Sequence, residues 1–224
     1  MKELSKEEKQ ARIAKNVAAI IDEDSSLSFI NLGVGIPTMV SNYVTRQDVY
    51  LMAENGMLGV GRIATGDEIH PDLINAGRQP VCETPGCAYM DSVDAFGMIR
   101  GGHIDATVLG AFEVDQCADV ANWIIPGGRQ LGVGGAMDLV SGARKVIIAM
   151  THTSKTGAKL VERCSLPLTA KGKVSMVVTE YAVFTFSGGK VTLEKVAPEI
   201  TLDELAGTTD IEYTVSDTLK SMVV

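Results

Sequence analysis

The chain has 224 residues, a formal net charge of −8, and 46% hydrophobic against 21% charged side chains. That length can bury one substantial core, and the composition is that of a globular protein rather than a disordered one. The acidic balance argues against nucleic acid or an anionic membrane as partner, although loop amides still let an acidic protein bind a small anion.

The segment Met1 to Lys15 is charged throughout, without the apolar core of a secretory signal. No apolar run approaches the roughly 20 residues needed to span a bilayer. The reading is a cytoplasmic chain. From Ser5 to Ile21 the spacing of Ile13, Val17, Ile20 and Ile21 predicts an amphipathic helix. Leu27–Leu32 reads as a strand, Gly33-Val34-Gly35 as a turn, and Ile36–Val44 as a helix with Pro37 in its first turn. Such a layout presents backbone amides to a phosphate or carboxylate.

Val49–Ala53 is the next strand, and it ends on a lone carboxylate, Glu54. Gly56, Gly59 and Gly61 follow at once and read as a loop that brings backbone close to a ligand. Ligands of open α/β sheets bind beyond the carboxyl ends of strands, where a carboxylate serves as base, metal ligand or nucleophile. The plainer alternative is a solvated Glu, or one that caps the next helix.

Residues 61–77 read as loop, Ser92–Arg100 as a helix stopped by Gly101-Gly102, and Ile104–Leu109 as a strand. Residues 118–135 are expected to be irregular, Met137–Ala143 a short helix, and Lys145–Met150 a buried strand. Strands follow at Val174–Thr179, Ala182–Phe186 and Val191–Val196, the last two joined as a hairpin across Ser187-Gly188-Gly189-Lys190. Thr201 with Glu204 three residues on is a capping box for a last helix. Alternating strands and helices, with no repeat or clear linker, predict an α/β fold.

Several constellations compete for chemistry. Gly33-Val34-Gly35-Ile36-Pro37-Thr38 lacks the third glycine of a dinucleotide fingerprint, yet Glu54 falls about twenty positions on, where a ribose-binding acid would stand. A nicotinamide-dependent enzyme is therefore one rival, and a plain tight turn another. Gly132-Val133-Gly134-Gly135-Ala136 opens the short helix and either leaves amides free for an oxyanion or simply reverses the chain. The acid pairs Asp91/Asp94, Asp115/Asp119 and Asp67/Glu68 read as solvated faces or helix N-terminal charges. Trp123 reads as core or subunit interface. His70, His103 and His152 lie far apart, and Cys82, Cys87, Cys117 and Cys164 form no Cys-x-x-Cys pair, so free thiols and no metal site are expected.

Ala53-Glu54-Asn55-Gly56 resembles the Ser-Glu-Asn-Gly signature of family I coenzyme A transferases. The similarity continues through residues 72–77, 98–103, 121–127, 134–139 and 164–169, so that it covers nearly all of the chain from about Ile30 onward. It points to the β subunit of a 3-oxoacid or butyrate–acetoacetate type, with residues 1–224 as one domain and an open α/β/α sandwich built on a largely parallel sheet. Ala53 departs from the family's serine, and Met52 from its preceding polar residue, so a hydroxyl beside the nucleophile is lost.

The resemblance implies ping-pong transfer of CoA from an acyl-CoA to acetoacetate, butyrate or acetate, through a thioester on Glu54. It implies that Gly135 donates its amide to the thioester oxygen, and that Gly33, Val34, Gly35, Ile36, Asn55 and Gly134 line the CoA and acyl site. It also implies a homologous α subunit, an α2β2 assembly, and no tightly bound cofactor, CoA being the substrate. A 3-oxoadipate-type enzyme and a non-catalytic nucleotide-binding or regulatory subunit on the same fold are the alternatives.

Overall fold

The computed structural model describes residues 4–128 and 132–224. In chain order the first half runs α1 (Lys6–Glu23), β1 (Phe29–Leu32), a 3₁₀ helix (Ile36–Asn42), β2 (Tyr50–Ala53), β3 (Met57–Ile63), β4 (Val81–Tyr89), α2 (Ser92–Arg100) and β5 (Ala106–Leu109). Two short strands, β6 (Glu113–Asp115) and β7 (Val120–Ala121), precede α3 (Ala136–Gly142) and β8 (Lys145–Ala149). The two-residue strands β9 (Thr153–Ser154), β10 (Gly157–Ala158) and β11 (Leu160–Val161) come next. The chain closes with β12 (Met176–Val178), β13 (Ala182–Ser187), β14 (Lys190–Val196), α4 (Leu202–Ala206) and β15 (Thr214–Ser221).

Among the described residues ten strands make one sheet in the order β15-β14-β13-β12-β8-β5-β1-β2-β3-β4. The central strands β12, β8, β5, β1 and β2 pair parallel, and antiparallel hairpins extend the sheet on both sides. Covered on both faces, the central strands are near-continuous apolar runs such as Val146-Ile147-Ile148-Ala149, all buried. The crossover from β1 to β2 steps one way along the sheet, and those through α2 to β5 and through α3 to β8 step the other way. Right-handed connections therefore put the 3₁₀ helix and α2/α3 on opposite faces. α1 packs on the 3₁₀ helix, and α2 packs on α3. The α/β/α sandwich expected from the sequence is the fold observed.

Local signals hold well. α1 starts at a capping box, Glu8 N–H to Ser5 Oγ at 3.1 Å and Ser5 N–H to Glu8 Oε2 at 2.7 Å, and buries Ile13, Val17, Ile20 and Ile21. The β13–β14 hairpin turns on Gly188 and Gly189, both with positive φ (58° and 73°), as a two-residue turn between twisted strands needs. The Thr201/Glu204 capping box opens α4. No helix among the described residues is long and apolar enough to cross a membrane.

Three expectations are corrected. Past the turn that Gly56 closes, the glycine-spaced run after Glu54 is strand β3, not a loop approaching a ligand, and Gly59 and Gly61 make room for β4. A β-carbon on Gly61 would lie 2.7 Å from the Cys82 carbonyl oxygen, and one on Gly59 would lie 2.8 Å from Cys87 Cα. The helix read over Ile36–Val44 is a 3₁₀ helix ending at Asn42. Asp115 is not on a solvated face: it is 1% exposed and accepts the N–H groups of Cys117, Asp119 and Cys164, holding the small β6–β7–β11 sheet together.

Candidate active site

The order of strands reverses direction between β1 and β5, and such a switch point leaves a crevice beyond the strands' carboxyl ends. A cavity of about 350 Å³ lies there. Gly33 and Val34 from the end of β1, and Leu109 and Gly110 from the end of β5, form one side. Gly132 to Ala136 and Leu139, leading into α3, form another, with Asn122 and Glu54 completing the wall. Glu54 is the one titratable side chain among the described residues that line it.

Residues 54–56 are the entire loop of the β2–β3 hairpin, because Ala53 pairs with Met57. Gly56 closes it, at φ 125° and with its N–H on the Ala53 carbonyl at 3.0 Å. Three-residue hairpin loops commonly end on such a glycine. Glu54 therefore projects from a short, tightly anchored turn.

Its carboxylate is held from the sheet interior. Asn31 Nδ2 donates to Glu54 Oε2 at 3.1 Å, and Thr107 Oγ1 donates to Asn31 Oδ1 at 2.9 Å. Asn31 stands in register with Thr107 on one side and with Met52 on the other, two residues before Glu54. Parallel pairing thus sets Asn31 beside Thr107 and brings the turn after β2, which carries Glu54, within reach of Asn31. Asn31 and Thr107 have no solvent exposure, whereas Glu54 is half-buried. On the far side, Asn122 donates to the Gly110 carbonyl at 3.2 Å and accepts from the Thr169 hydroxyl at 2.7 Å, fixing the rim.

Of the residues singled out from sequence, Gly33, Val34, Glu54, Gly134 and Gly135 meet around this cavity. Gly35, Ile36 and Asn55 do not line it. Gly35 is the N-cap of the 3₁₀ helix, Ile36 packs on the core, and Asn55 donates its amide to the Ile74 carbonyl at 3.0 Å. Asn31, Thr107 and Asn122 escaped notice as site residues. For Asn31 a signal existed: a lone amide inside the apolar strand Phe29-Ile30-Asn31-Leu32 must find a buried partner.

Comparison with known proteins is consistent with this geometry. A family model described as coenzyme A transferase matches residues 11–207. The chain is 48% identical over 212 residues, 94% of its length and 95% of the relative's, to the beta chain of the acetate CoA-transferase of Escherichia coli K12. It is 45% identical over 188 residues, 84% of its length and 91% of the relative's, to the B-type polypeptide of the succinyl-CoA:3-ketoacid coenzyme A transferase of Helicobacter pylori 26695. Its fold is similar, at a TM-score of 0.74 and 21% identity, to an acyl-CoA transferase of E. coli O157:H7 solved as a thioester complex with CoA; all of this chain is covered, but only 44% of that one.

Proposed function

This chain belongs to the coenzyme A transferase family, and we propose that it is the nucleophile-bearing subunit, with Glu54 as the covalent carrier of CoA. It is an enzyme of CoA transfer between an acyl-CoA and a carboxylate. The observation that carries the finer reading is the position of Glu54. It is the sole titratable group among the described residues of the cavity wall, is held by Asn31, and shares the cavity with the backbone of Gly134 to Ala136.

The reaction follows from a carboxylate so placed. A Glu54 oxygen attacks the thioester carbonyl of the acyl-CoA, the C–S bond breaks, and CoA leaves as thiolate from a mixed acyl–glutamyl anhydride. The thiolate attacks the glutamyl carbonyl and expels the first acid, leaving a Glu54–CoA thioester. The second acid then attacks that thioester. Its anhydride with Glu54 is opened by the thiolate at the acyl carbon, which releases the new acyl-CoA and restores the Glu54 carboxylate. Each intermediate keeps the activation of the original thioester, so the scheme calls for no resident cofactor; CoA is the substrate. Water must be kept from both intermediates. The Gly135 amide is assigned to the developing oxyanion.

The relatives' names support acetate or a 3-keto acid such as acetoacetate as the acids, with butyrate as a further short-chain candidate. Both relatives are named as the second of two kinds of polypeptide, which supports a partner α subunit. We place the pair in the cytoplasm as α2β2, with the partner closing the cavity over Glu54.

The test is to incubate the assembled enzyme with acetoacetyl-CoA and no acceptor acid, reduce with borohydride, digest and weigh the peptides. Label is expected on the Glu54 peptide and absent from Glu54→Gln. Label on another residue during normal turnover overturns the covalent assignment. Absence of both label and turnover would favour a regulatory subunit on the same fold.

A further inference from the structure

One wall of the cavity is set from behind. Gly135 is the N-cap of α3, and a β-carbon there would lie 2.6 Å from Phe96 Cζ and 2.8 Å from its Cε1. The Phe96 ring edge on α2 thus rests directly on the Gly135 backbone. Arg100, one turn further along α2, lies over that ring, its guanidinium carbon 5.6 Å from the centroid. The same guanidinium grips Asp138 in the first turn of α3, Nε to Oδ1 at 2.8 Å and Nη2 to Oδ2 at 3.1 Å. Seven residues beyond Gly135 the helices are again in backbone contact: a β-carbon on Gly142 would lie 2.2 Å from the Ile99 carbonyl oxygen. The first turn of α3 is therefore fixed to α2 by a ring beneath it, a bidentate ion pair beside it and a glycine contact at its end.

Phe96 does not line the cavity; Gly135 does. We propose that Phe96 is a positioning residue for the transfer reaction: its ring, held by Arg100, sets the distance between the Gly135 backbone and Glu54. This rests on the reading of Gly135 and Glu54 given above. In that reading the amide must meet an oxyanion within hydrogen-bond distance, and a misplacement of about 1 Å can cost on the order of 10²-fold. Since the ring supports the wall from outside, a smaller side chain at position 96 lets the wall recede, which slows transfer and admits a bulkier acyl group.

The experiment is a double-mutant cycle on the assembled enzyme with Phe96→Leu, Gly135→Ala and the pair, reading kcat and KM separately for acetate and for a longer acid such as hexanoate. Gly135→Ala forces the turn off the ring and should lower kcat by on the order of 10²-fold with KM nearly unchanged. Phe96→Leu should lower kcat for acetate about tenfold while raising the hexanoate-to-acetate ratio of kcat/KM. In the pair, leucine vacates the space the new methyl needs, so at least tenfold of the Gly135→Ala loss should return. Additive losses, or a Phe96→Leu enzyme with wild-type kcat and acid preference, overturn the proposal.

Arg100→Met, at a largely exposed side chain, is the check if Gly135→Ala does not fold: it should lower kcat several-fold without lowering the melting temperature. An unchanged kcat there would also count against the proposal. Trapping on Glu54 is read in parallel. Label elsewhere overturns the covalent reading even if positions 96 and 135 are coupled, whereas additivity with label on Glu54 overturns only the positioning role.

Discussion

Thr107 and Asn31, side by side on β5 and β1 and closed off from solvent, share a 2.9 Å hydrogen bond in which the hydroxyl donates to the carboxamide oxygen. The Glu54 carboxylate only accepts, so it takes the NH₂ end of the amide, and the Thr107 hydroxyl supports that orientation by donating to the oxygen end. Thr107→Val keeps shape but leaves Asn31 Oδ1 unpaired in the core. It should destabilise the fold by about 1–3 kcal/mol and slow transfer by up to about tenfold, the worth of one hydrogen bond. Urea unfolding and kcat measured together test this; a wild-type kcat in Thr107→Val would show that Glu54 needs no such orientation.

Glu54→Asp should fold normally and transfer CoA on the order of 10²-fold more slowly, since the carboxylate retracts by one methylene from a turn that cannot follow it. Glu54→Gln should be inactive. Steady-state kinetics against an unchanged melting temperature is the measurement, and an Asp variant within a few-fold of wild type would argue that the group acts at a distance, as a general base through water.

Gly61→Ala separates the strand from the ligand-facing loop that the spacing suggested. With the Cys82 carbonyl 2.7 Å from the new β-carbon, β3 and β4 must move apart, at about 1–3 kcal/mol. The urea midpoint should fall while KM for acyl-CoA holds. A raised KM at unchanged stability would return this glycine to the substrate site.

His152 makes stability depend on pH. It is fully buried, with Nε2 3.0 Å from Thr209 Oγ1 and Nδ1 3.0 Å from Thr179 Oγ1. Thr209 donates to the Leu205 carbonyl and Thr179 to the Ala182 carbonyl, while the Thr179 oxygen takes the N–H groups of Tyr181 and Ala182, so both ring nitrogens face hydroxyls already engaged elsewhere. Burial, offset in part by a backbone hydrogen bond at Thr208 and reinforced by the Lys159 charge, lowers the His152 pKa from 6.5 to about 4. The unfolded chain binds that proton near pH 6.5 and the folded chain only near pH 4. Stability from the neutral ring is thus complete above pH 6.5 and lost as pH falls toward 4, by about 3 kcal/mol. Unfolding free energies at pH 7.5, 5.5 and 4.5 should show a steeper decline for wild type than for His152→Gln; parallel curves would rule out this residue as the source.

By itself the sequence determined the elements whose causes are local. Ile13, Val17, Ile20 and Ile21 at helical spacing, the Thr201/Glu204 cap, the Gly188-Gly189 turn and the apolar central strands each carry their instruction within a few residues. The motif around Glu54 and the Gly134-Gly135 turn were legible too, through their resemblance to a known family.

What only the tertiary structure decided is long-range. β3, β4 and β15 are strands because of what lies beside them: Gly59 and Gly61 read as a loop until β4 presses on them, and β15, largely exposed along the sheet edge, has no apolar alternation to announce it. The same holds at the site. Asn31 and Thr107 come from two strands and Glu54 from the turn that follows a third, and strand register brings them within hydrogen-bond reach. Pairing between distant segments depends on every strand between them, and no short window of sequence contains that information.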